Sequence, residues 1–204
     1  EVVVKAVSAP KGAPFAVSRI SKKDLQEFST GGQELPYLFA RTPGVVAWSE
    51  NGLGTGTVYM RMRGSAGSRV NVTIDGISLN SPEDQCVFWA NMNSYASLLG
   101  SVQIQRGVGS SSNGDGAFGG SIAMQTKLPQ MDPMLEVTGS YGMYNTWRMG
   151  GQFSTGLLGK HWVVDGAYYQ TTTDGYLHGT HGKSGNYTAG VAWLSEDSRL
   201  VFRY

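Results

Sequence analysis

The sequence has little charge, a single cysteine and no long hydrophobic run. Asp, Glu, Lys and Arg make up 15% of its 204 residues, against about 25% in an average soluble protein, and this excludes charge-rich disorder. No stretch of about 20 apolar residues is available to cross a bilayer as a helix. Cys86 cannot form an internal disulfide, because it has no partner. The net charge of +1 comes without a basic cluster, so nucleic acid is not expected as a partner.

Glycine and aromatic residues, by contrast, are plentiful. The 29 glycines are about twice the usual share of about 7%, and they lack the period of three that a collagen helix requires. The 5 Trp, 10 Tyr and 7 Phe residues are more than a flexible linker carries. This composition predicts β-structure with many tight turns.

The chain divides into two parts near residues 130–133. Before this boundary, short strand-like runs, one or two helical stretches and glycine loops are mixed, whereas from Met134 onward apolar and polar residues alternate. This period of two predicts antiparallel strands with one apolar and one polar face. A polar loop after the third strand is predicted to run through Ser184. The apolar positions, strand by strand, are Leu135, Val137 and Tyr141; Trp147, Met149 and Phe153; Trp162, Val164 and Tyr168; Tyr187, Val191 and Trp193; Leu200, Phe202 and Tyr204.

The alternation by itself leaves two interpretations open. Segments of about ten residues with aromatic ends are typical of an outer-membrane barrel, whose apolar face points to lipid. A soluble sandwich or lipocalin-like barrel has the same period with its apolar face turned inward. The direction of that face has to be decided by other parts of the sequence.

Motifs in the first part of the chain decide in which direction the apolar face points. A helix is predicted after Ser21, a suitable N-cap, and a second one from Glu34 to Ala40, ended by Pro43 and Gly44. Four motifs stand in order: LPYLFARTPGVV (35–46), MRMRG (60–64), VTIDGISLN (72–80) and SVQIQRGVGSSSNGDGAFGGSIAMQTK (101–127). Taken together, they resemble the plug domain of TonB-dependent outer-membrane receptors.

The resemblance implies a fold. Residues 1–129 would form an α+β plug, a small mixed sheet with short helices, and residues 134–204 the first antiparallel strands of an incomplete transmembrane β-barrel. The apolar faces would then point to lipid and polar groups such as Arg148, Gln152, Asp165 and Arg203 to the plug. About five strands cannot close a barrel around a plug. We therefore expect the 204 residues to be part of a receptor several times longer.

The resemblance to the plug domain also implies a function. Such receptors import a scarce ligand (a siderophore, haem, cobalamin, glycan or peptide) across the outer membrane of Gram-negative bacteria, with the plug gating the lumen and its N-terminus in the periplasm. They are not enzymes and need no cofactor. The alternative is a soluble β-rich protein that binds a ligand or a carbohydrate. A nucleotide-dependent enzyme is a further alternative, because Gly114 to Gly119 fits G-x-G-x-x-G, but it requires a helix after Gly119.

Partners and site residues follow from the same resemblance. Residues 1–7, EVVVKAV, look like the TonB box, in which Val2, Val3 and Val4 would pair with TonB by strand addition; a plain first strand of the plug fits equally well. Outer-membrane lipid and a surface lipoprotein or other partner subunit are further expected partners. Arg63 and Arg106 would face barrel carboxylates. The apical loops, residues 48–56 and 80–93, would meet the extracellular ligand through Trp48, Glu50, Asn51, Asp84, Gln85, Trp89, Asn91 and Asn93.

Two histidines raise the question of a metal. His178 and His181 lie in the polar loop after the third strand, and imidazole is a common metal ligand. No Cys or carboxylate stands close to them in the sequence, so the pair falls short of a metal site. No metal site is predicted, and a solvated loop is favoured.

Overall fold

The computed structural model describes residues 16–108 and 117–204. These residues fall into two compact units: the first covers 16–29, 33–108 and 117–127, and the second covers 30–32 and 128–204. Val2, Val3 and Val4 lie outside the described residues, so their assignment to the TonB box stays a prediction.

The first unit combines short strands with short helices. Three 3₁₀ turns, Gly67–Arg69, Trp89–Met92 and Tyr95–Leu98, complete it. Its helices and strands in chain order are β1 (Ala16–Ile20), α1 (Lys22–Ser29), α2 (Leu35–Phe39), β2 (Val45–Ser49), β3 (Val58–Met62), β4 (Ser65–Ala66), β5 (Val70–Ile74), β6 (Ile77–Ser78), β7 (Leu99–Arg106) and β8 (Gly120–Thr126).

Two sheets organise these strands. The larger has the order β1-β7-β8-β5-β6, and it is mixed because β5 and β8 run parallel while the other neighbours are antiparallel. The smaller is the antiparallel sheet β2-β3-β4. Apolar side chains of both helices and of the sheets form one core, which includes Leu25, Phe28, Leu35, Leu38, Phe39, Met60, Met62, Val70, Val72, Ile104, Ile122 and Met124.

Local sequence signals place the helices. The Ser21 hydroxyl accepts a hydrogen bond from the Asp24 N–H (3.2 Å), and the Asp24 carboxylate accepts one from the Ser21 N–H (3.1 Å). This reciprocal cap satisfies N–H groups that the first turn leaves without a helical acceptor, and it agrees with the predicted N-cap. Helix α2 has Pro36 in its first turn, where the missing N–H costs nothing.

The second unit is a single antiparallel sheet of sequential strands. Its order is β13-β12-β11-β10-β9, and the sheet is open. The strands are β9 (Met134–Gly142), β10 (Thr146–Ser154), β11 (Trp162–Thr173), β12 (Gly182–Leu194) and β13 (Arg199–Arg203). Large apolar side chains on its predicted apolar face are exposed, including Leu135 (79%), Val137 (79%), Tyr141 (77%) and Phe202 (66%).

Polar groups on the opposite face interact within the sheet. Arg203 forms an ion pair with Asp165 (3.4 Å), and Gly190 leaves room for that carboxylate, since a Cβ there would lie 2.8 Å from Asp165 Oδ1. The Gln152 side chain donates a hydrogen bond to Glu136 (2.6 Å). These pairs join neighbouring strands through their side chains as well as their backbones.

One strand boundary differs from the prediction. The loop expected to run through Ser184 ends earlier, because β12 begins at Gly182, which pairs with Thr173 at the end of β11. The residues at this end of the ladder are polar or glycine, so hydrophobic alternation gives no signal for them, whereas backbone hydrogen bonds do not depend on side-chain polarity.

The predicted fold class is confirmed: a mixed α+β unit is followed by antiparallel strands of an open sheet. Residues 120–126 after Gly119 form β8 and not a helix, which removes the structural context that a nucleotide site needs. Within residues 16–108 and 117–204, no helix is both long and apolar enough to cross a bilayer.

Candidate functional site in the first unit

The residues predicted to contact ligand separate into two groups. Trp48, Glu50, Asp84, Gln85 and Asn91 are exposed, and Asn51 is half-buried, whereas Trp89 and Asn93 are buried. The exposed side chains are accessible from outside the unit, whereas Trp89 and Asn93 make contacts within it.

An aromatic pair, Trp48 and Tyr59, lies on the exposed face of the β2–β3 hairpin. The two residues face each other across the strands, and their rings stack with centroids 5.6 Å apart and an angle of 24°. Both keep more than two fifths of their surface exposed, 42% for Trp48 and 43% for Tyr59. Such a surface can stack on a flat ligand.

Charged groups of both signs border the aromatic pair. The guanidinium of Arg61 lies 6.0 Å from the centre of the Trp48 ring, within the range of a cation–π interaction. The Tyr59 hydroxyl donates a hydrogen bond to Glu50 (2.8 Å). That bond and the charge of Glu50 raise the pKa of Tyr59, so the phenol remains a donor at neutral pH.

Sequence reasoning missed Tyr59 and Arg61, although the signal was present. In VYMRM, β3 alternates buried Val58, Met60 and Met62 with these two exposed residues. The period of two therefore puts Tyr59 and Arg61 on the outer face, next to Trp48 on the neighbouring strand.

The first candidate loop, residues 48–56, is shaped by its own polar side chains. The Asn51 carbonyl oxygen accepts the Leu53 N–H (3.0 Å), while its amide group donates to the Thr55 hydroxyl. The Ser49 hydroxyl accepts the Gly54 N–H (2.9 Å). Asn51 therefore has a conformational role in this loop. Its predicted contact with ligand stays a prediction.

The second candidate loop, residues 80–93, is fixed at its start by Asn80. The side chain of Asn80 accepts the Val72 N–H (2.8 Å) and donates to the carbonyls of Val70 (3.0 Å) and Gln85 (2.7 Å). The Asp84 carboxylate accepts the Cys86 N–H (2.9 Å). Sequence reasoning missed Asn80, because its partners are backbone groups that only the fold brings together.

Trp89 and Asn93 support the loop from the inside. Trp89 is 5% exposed and packs edge-on against Phe39 with ring centroids 5.6 Å apart. Asn93 is 3% exposed and donates a hydrogen bond to Glu34 (2.9 Å). The 3₁₀ turn at Trp89–Met92 directs Trp89 and Met92 inward. Trp89 and Asn93 are thus buried in this structure, and their contact with ligand stays a prediction.

Glu34 is a buried carboxylate that sequence reasoning also missed. It is 1% exposed, and its Oε1 accepts hydrogen bonds from Asn93 (2.9 Å) and from the Gly56 N–H (3.3 Å). Burial raises the pKa of Glu34 to about 7, and the hydrogen bonds from Asn93 and Gly56 oppose this rise. Its place directly before α2 resembles an ordinary N-cap, yet its side chain makes no cap hydrogen bond.

The two arginines predicted to face the barrel have positions on the first unit itself. Arg106 donates to the Pro43 carbonyl (3.0 Å). Arg63 Nη1 lies where a side chain at position 107 would begin, 2.7 Å from a hypothetical Cβ, so Gly107 leaves room for it. Their contact with barrel carboxylates stays a prediction.

The residues that could bind metal are dispersed. Within the two described ranges, no group of three or more His, Cys, Asp and Glu residues is arranged to hold an ion. His178 and His181 lie between β11, which ends at Thr173, and β12, which begins at Gly182.

Comparison with known proteins identifies the family. The family model of the TonB-dependent Receptor Plug Domain matches residues 9–121, which is more than half of the chain. The chain therefore belongs to the family of TonB-dependent receptor plug domains, and the resemblance carried by its motifs is confirmed. No curated protein sequence matches the chain.

Solved structures resemble both units. The FpvA receptor of P. aeruginosa, solved with pyoverdines bound, has a TM-score of 0.77 and 15% identity over 98% of this chain and 26% of its own. The ferric-catecholate import receptor Fiu of E. coli K12 has a TM-score of 0.73 and 20% identity, over 93% of this chain and 26% of its own. The ferric yersiniabactin uptake receptor FyuA of Yersinia pestis has a TM-score of 0.72 and 14% identity, over 96% of this chain and 32% of its own. At these identities the likeness shows the fold, and the chain spans about a quarter to a third of each structure.

Proposed function

We propose that this chain belongs to a receptor that imports a ferric siderophore across the Gram-negative outer membrane, driven by TonB. The observation that carries the proposal is the match of residues 9–121 to the plug family. In the proposal, residues 1–129 form the plug and residues 134–204 the first strands of the barrel around it. Transport involves binding and rearrangement, without covalent chemistry.

The second unit supports a place in the outer membrane. A soluble antiparallel sheet buries its apolar face against a core. Here the large side chains Leu135, Val137, Tyr141, Tyr187 and Phe202 are exposed together on one face, as in a barrel wall that faces lipid. This favours the receptor over a soluble carbohydrate-binding protein.

A siderophore is favoured among the possible cargoes by the solved structures. FyuA is named for ferric yersiniabactin, FpvA is solved with pyoverdines, and Fiu is named for ferric-catecholate import. The aromatic pair, with Arg61 and Glu50 at its border, is suited to a flat ligand that carries polar groups at its edge. We therefore place the exposed residues Trp48, Glu50, Asp84, Gln85 and Asn91 on the ligand side, together with Tyr59 and Arg61.

The remaining partners complete the proposal. Residues 1–7 would offer Val2, Val3 and Val4 to TonB for strand addition, and the pull of TonB would rearrange the plug. Arg63 and Arg106 would contact barrel carboxylates. Outer-membrane lipid would surround the strands of the second unit, and a surface lipoprotein or other partner subunit would deliver ligand.

Iron uptake tests the proposal directly. A strain that lacks the full receptor is complemented with its gene and given ⁵⁵Fe as a ferric catecholate, ferric yersiniabactin or ferric pyoverdine. We expect the receptor and TonB to be needed for uptake of at least one of these chelates. Uptake of cyanocobalamin, haemin or a maltodextrin in place of all three would overturn the siderophore assignment.

A further inference from the structure

Glu34 connects the two candidate loops through a single side chain. We propose that Glu34 is a positioning residue that couples residues 54–56 of the first loop to Asn93 of the second, so that both loops open and close together. The inference rests on the proposed function for the purpose of the loops, which form the floor of the ligand site. It concerns how that floor is held together.

Three hydrogen bonds connect Glu34 to the two loops. The Glu34 N–H donates to the Gly54 carbonyl (2.7 Å), and the Gly56 N–H donates to Glu34 Oε1 (3.3 Å). The same Oε1 accepts from the amide of Asn93 (2.9 Å). One oxygen atom therefore holds a backbone group of the first loop and a side chain of the second, which are far apart in sequence.

Asn93 is itself held in the orientation that this bond requires. The Ser94 hydroxyl donates to Asn93 Oδ1 (2.9 Å), which leaves the amide nitrogen to face Glu34. Both residues are buried, with 3% of Asn93 and 4% of Ser94 exposed. A shift of Asn93 without a shift of Glu34 would leave a buried amide unpaired, which proteins avoid.

Among the described residues, the segments that hydrogen-bond to Glu34 carry no cation. Helix α2, residues 35–39, has no charged side chain, and neither has the segment 88–98. The first loop contributes only Glu50, whose carboxylate accepts from Tyr59. Glu34 Oε2 is buried and has no hydrogen-bond partner within the described residues. Hydrogen bonds to Oε1 are thus the main support of the charged form.

This environment makes the coupling dependent on pH. The pKa of Glu34 is raised by burial to about 7 and returns toward 4.5, its ordinary value, once the loops open to water. Because the closed state binds the proton more tightly, closure is favoured below both values. The advantage is lost as pH rises from about 4.5 to about 7, and it changes little above that.

Hydrogen exchange of the full receptor in detergent tests the coupling without any ligand. Exchange is followed by mass spectrometry between pH 5 and pH 8 and corrected for the intrinsic rate. We expect peptides covering residues 48–56 and 80–93 to lose protection together, by up to about tenfold per pH unit between pH 5 and pH 7.

Two variants and a matched control separate coupling from a merely structural role. Glu34→Gln should flatten the pH dependence in both loops. Asn93→Ala should raise exchange at residues 54–56 about tenfold, although the change is made in the other loop. Glu83→Gln makes the same chemical change at an exposed site of the second loop and should leave the pH dependence intact.

Two outcomes would overturn the coupling: a pH dependence retained in Glu34→Gln, or an Asn93→Ala variant that loosens only its own loop. If Glu34→Gln yields no folded receptor, the Asn93→Ala result decides alone. Since no ligand is present, failure here leaves the iron-uptake proposal standing. Absence of iron uptake with coupled loops would instead count against the proposed function.

Discussion

Gly120, the first residue of β8, occupies a position at which the structure requires glycine. Its φ of +148° lies in a region that side chains disfavour, and a Cβ there would collide with the Gln105 carbonyl oxygen and the Met62 sulfur. The glycine is required because β8 is hydrogen-bonded to β5 on one side and β7 on the other, with Met62 packed against its start.

The substitution Gly120→Ala should therefore destabilise the plug strongly. We expect a loss of about 3 kcal/mol or more from the free energy of unfolding, the sum of overpacking and backbone strain. Gly64→Ala is the matched control, because Gly64 has a φ of +80° with nothing within 4 Å of a Cβ, and it should cost only about 1 kcal/mol. Denaturant titration of the receptor, monitored by tryptophan fluorescence, measures both values; equal losses would contradict the steric argument.

At the scale of the element, the β2–β3 hairpin presents the aromatic pair, and we expect this pair to contribute to ligand affinity. Trp48→Ala removes the larger ring and should weaken binding of the imported chelate about tenfold or more. Tyr59→Phe keeps the ring and loses only the hydrogen bond to Glu50, so its effect should be smaller. Fluorescence titration of the purified receptor with the chelate identified by iron uptake compares the two. An unchanged affinity in Trp48→Ala would move the ligand site away from this hairpin.

Elements whose signals are local could be predicted from sequence. The N-cap of α1 depends on Ser21 and Asp24, three residues apart, and the strands after Met134 follow from alternation. The start of β12 could not be found in this way, because Gly182 and its neighbours are glycine or polar residues that pair through backbone groups.

The candidate site was predicted less completely for a related reason. The features of the site that the sequence did not reveal depend on contacts between residues far apart in the chain. Glu34 and Asn93 are 59 positions apart. Trp89 packs against Phe39 from a turn that no sequence motif marks. A Trp in a polar loop suggests a ligand contact, whereas the 3₁₀ turn directs it into the core. Exposure can be read from a pattern only where the element is regular.

At the scale of the whole molecule, energy coupling through residues 1–7 gives the next prediction. Val3→Pro removes a backbone N–H that strand addition to TonB would use. We expect it to abolish energised iron uptake while chelate binding to whole cells at 0 °C stays unchanged. Val3→Ala keeps the N–H and should transport nearly normally. Normal uptake by Val3→Pro would exclude this segment as the site of TonB pairing.

The edge position of β1 has a consequence for how the plug forms and comes apart. Ala16 pairs with Arg106 and Ile20 with Val102, so β1 must find a partner about eighty residues ahead, whereas β9 and β10 meet across a short turn. Closing the longer loop costs about 3 kcal/mol more chain entropy. Since β1 has a single strand neighbour among the described residues, we expect it to pair later during folding than the β9–β10 hairpin and to detach more readily than the central strands β7 and β8.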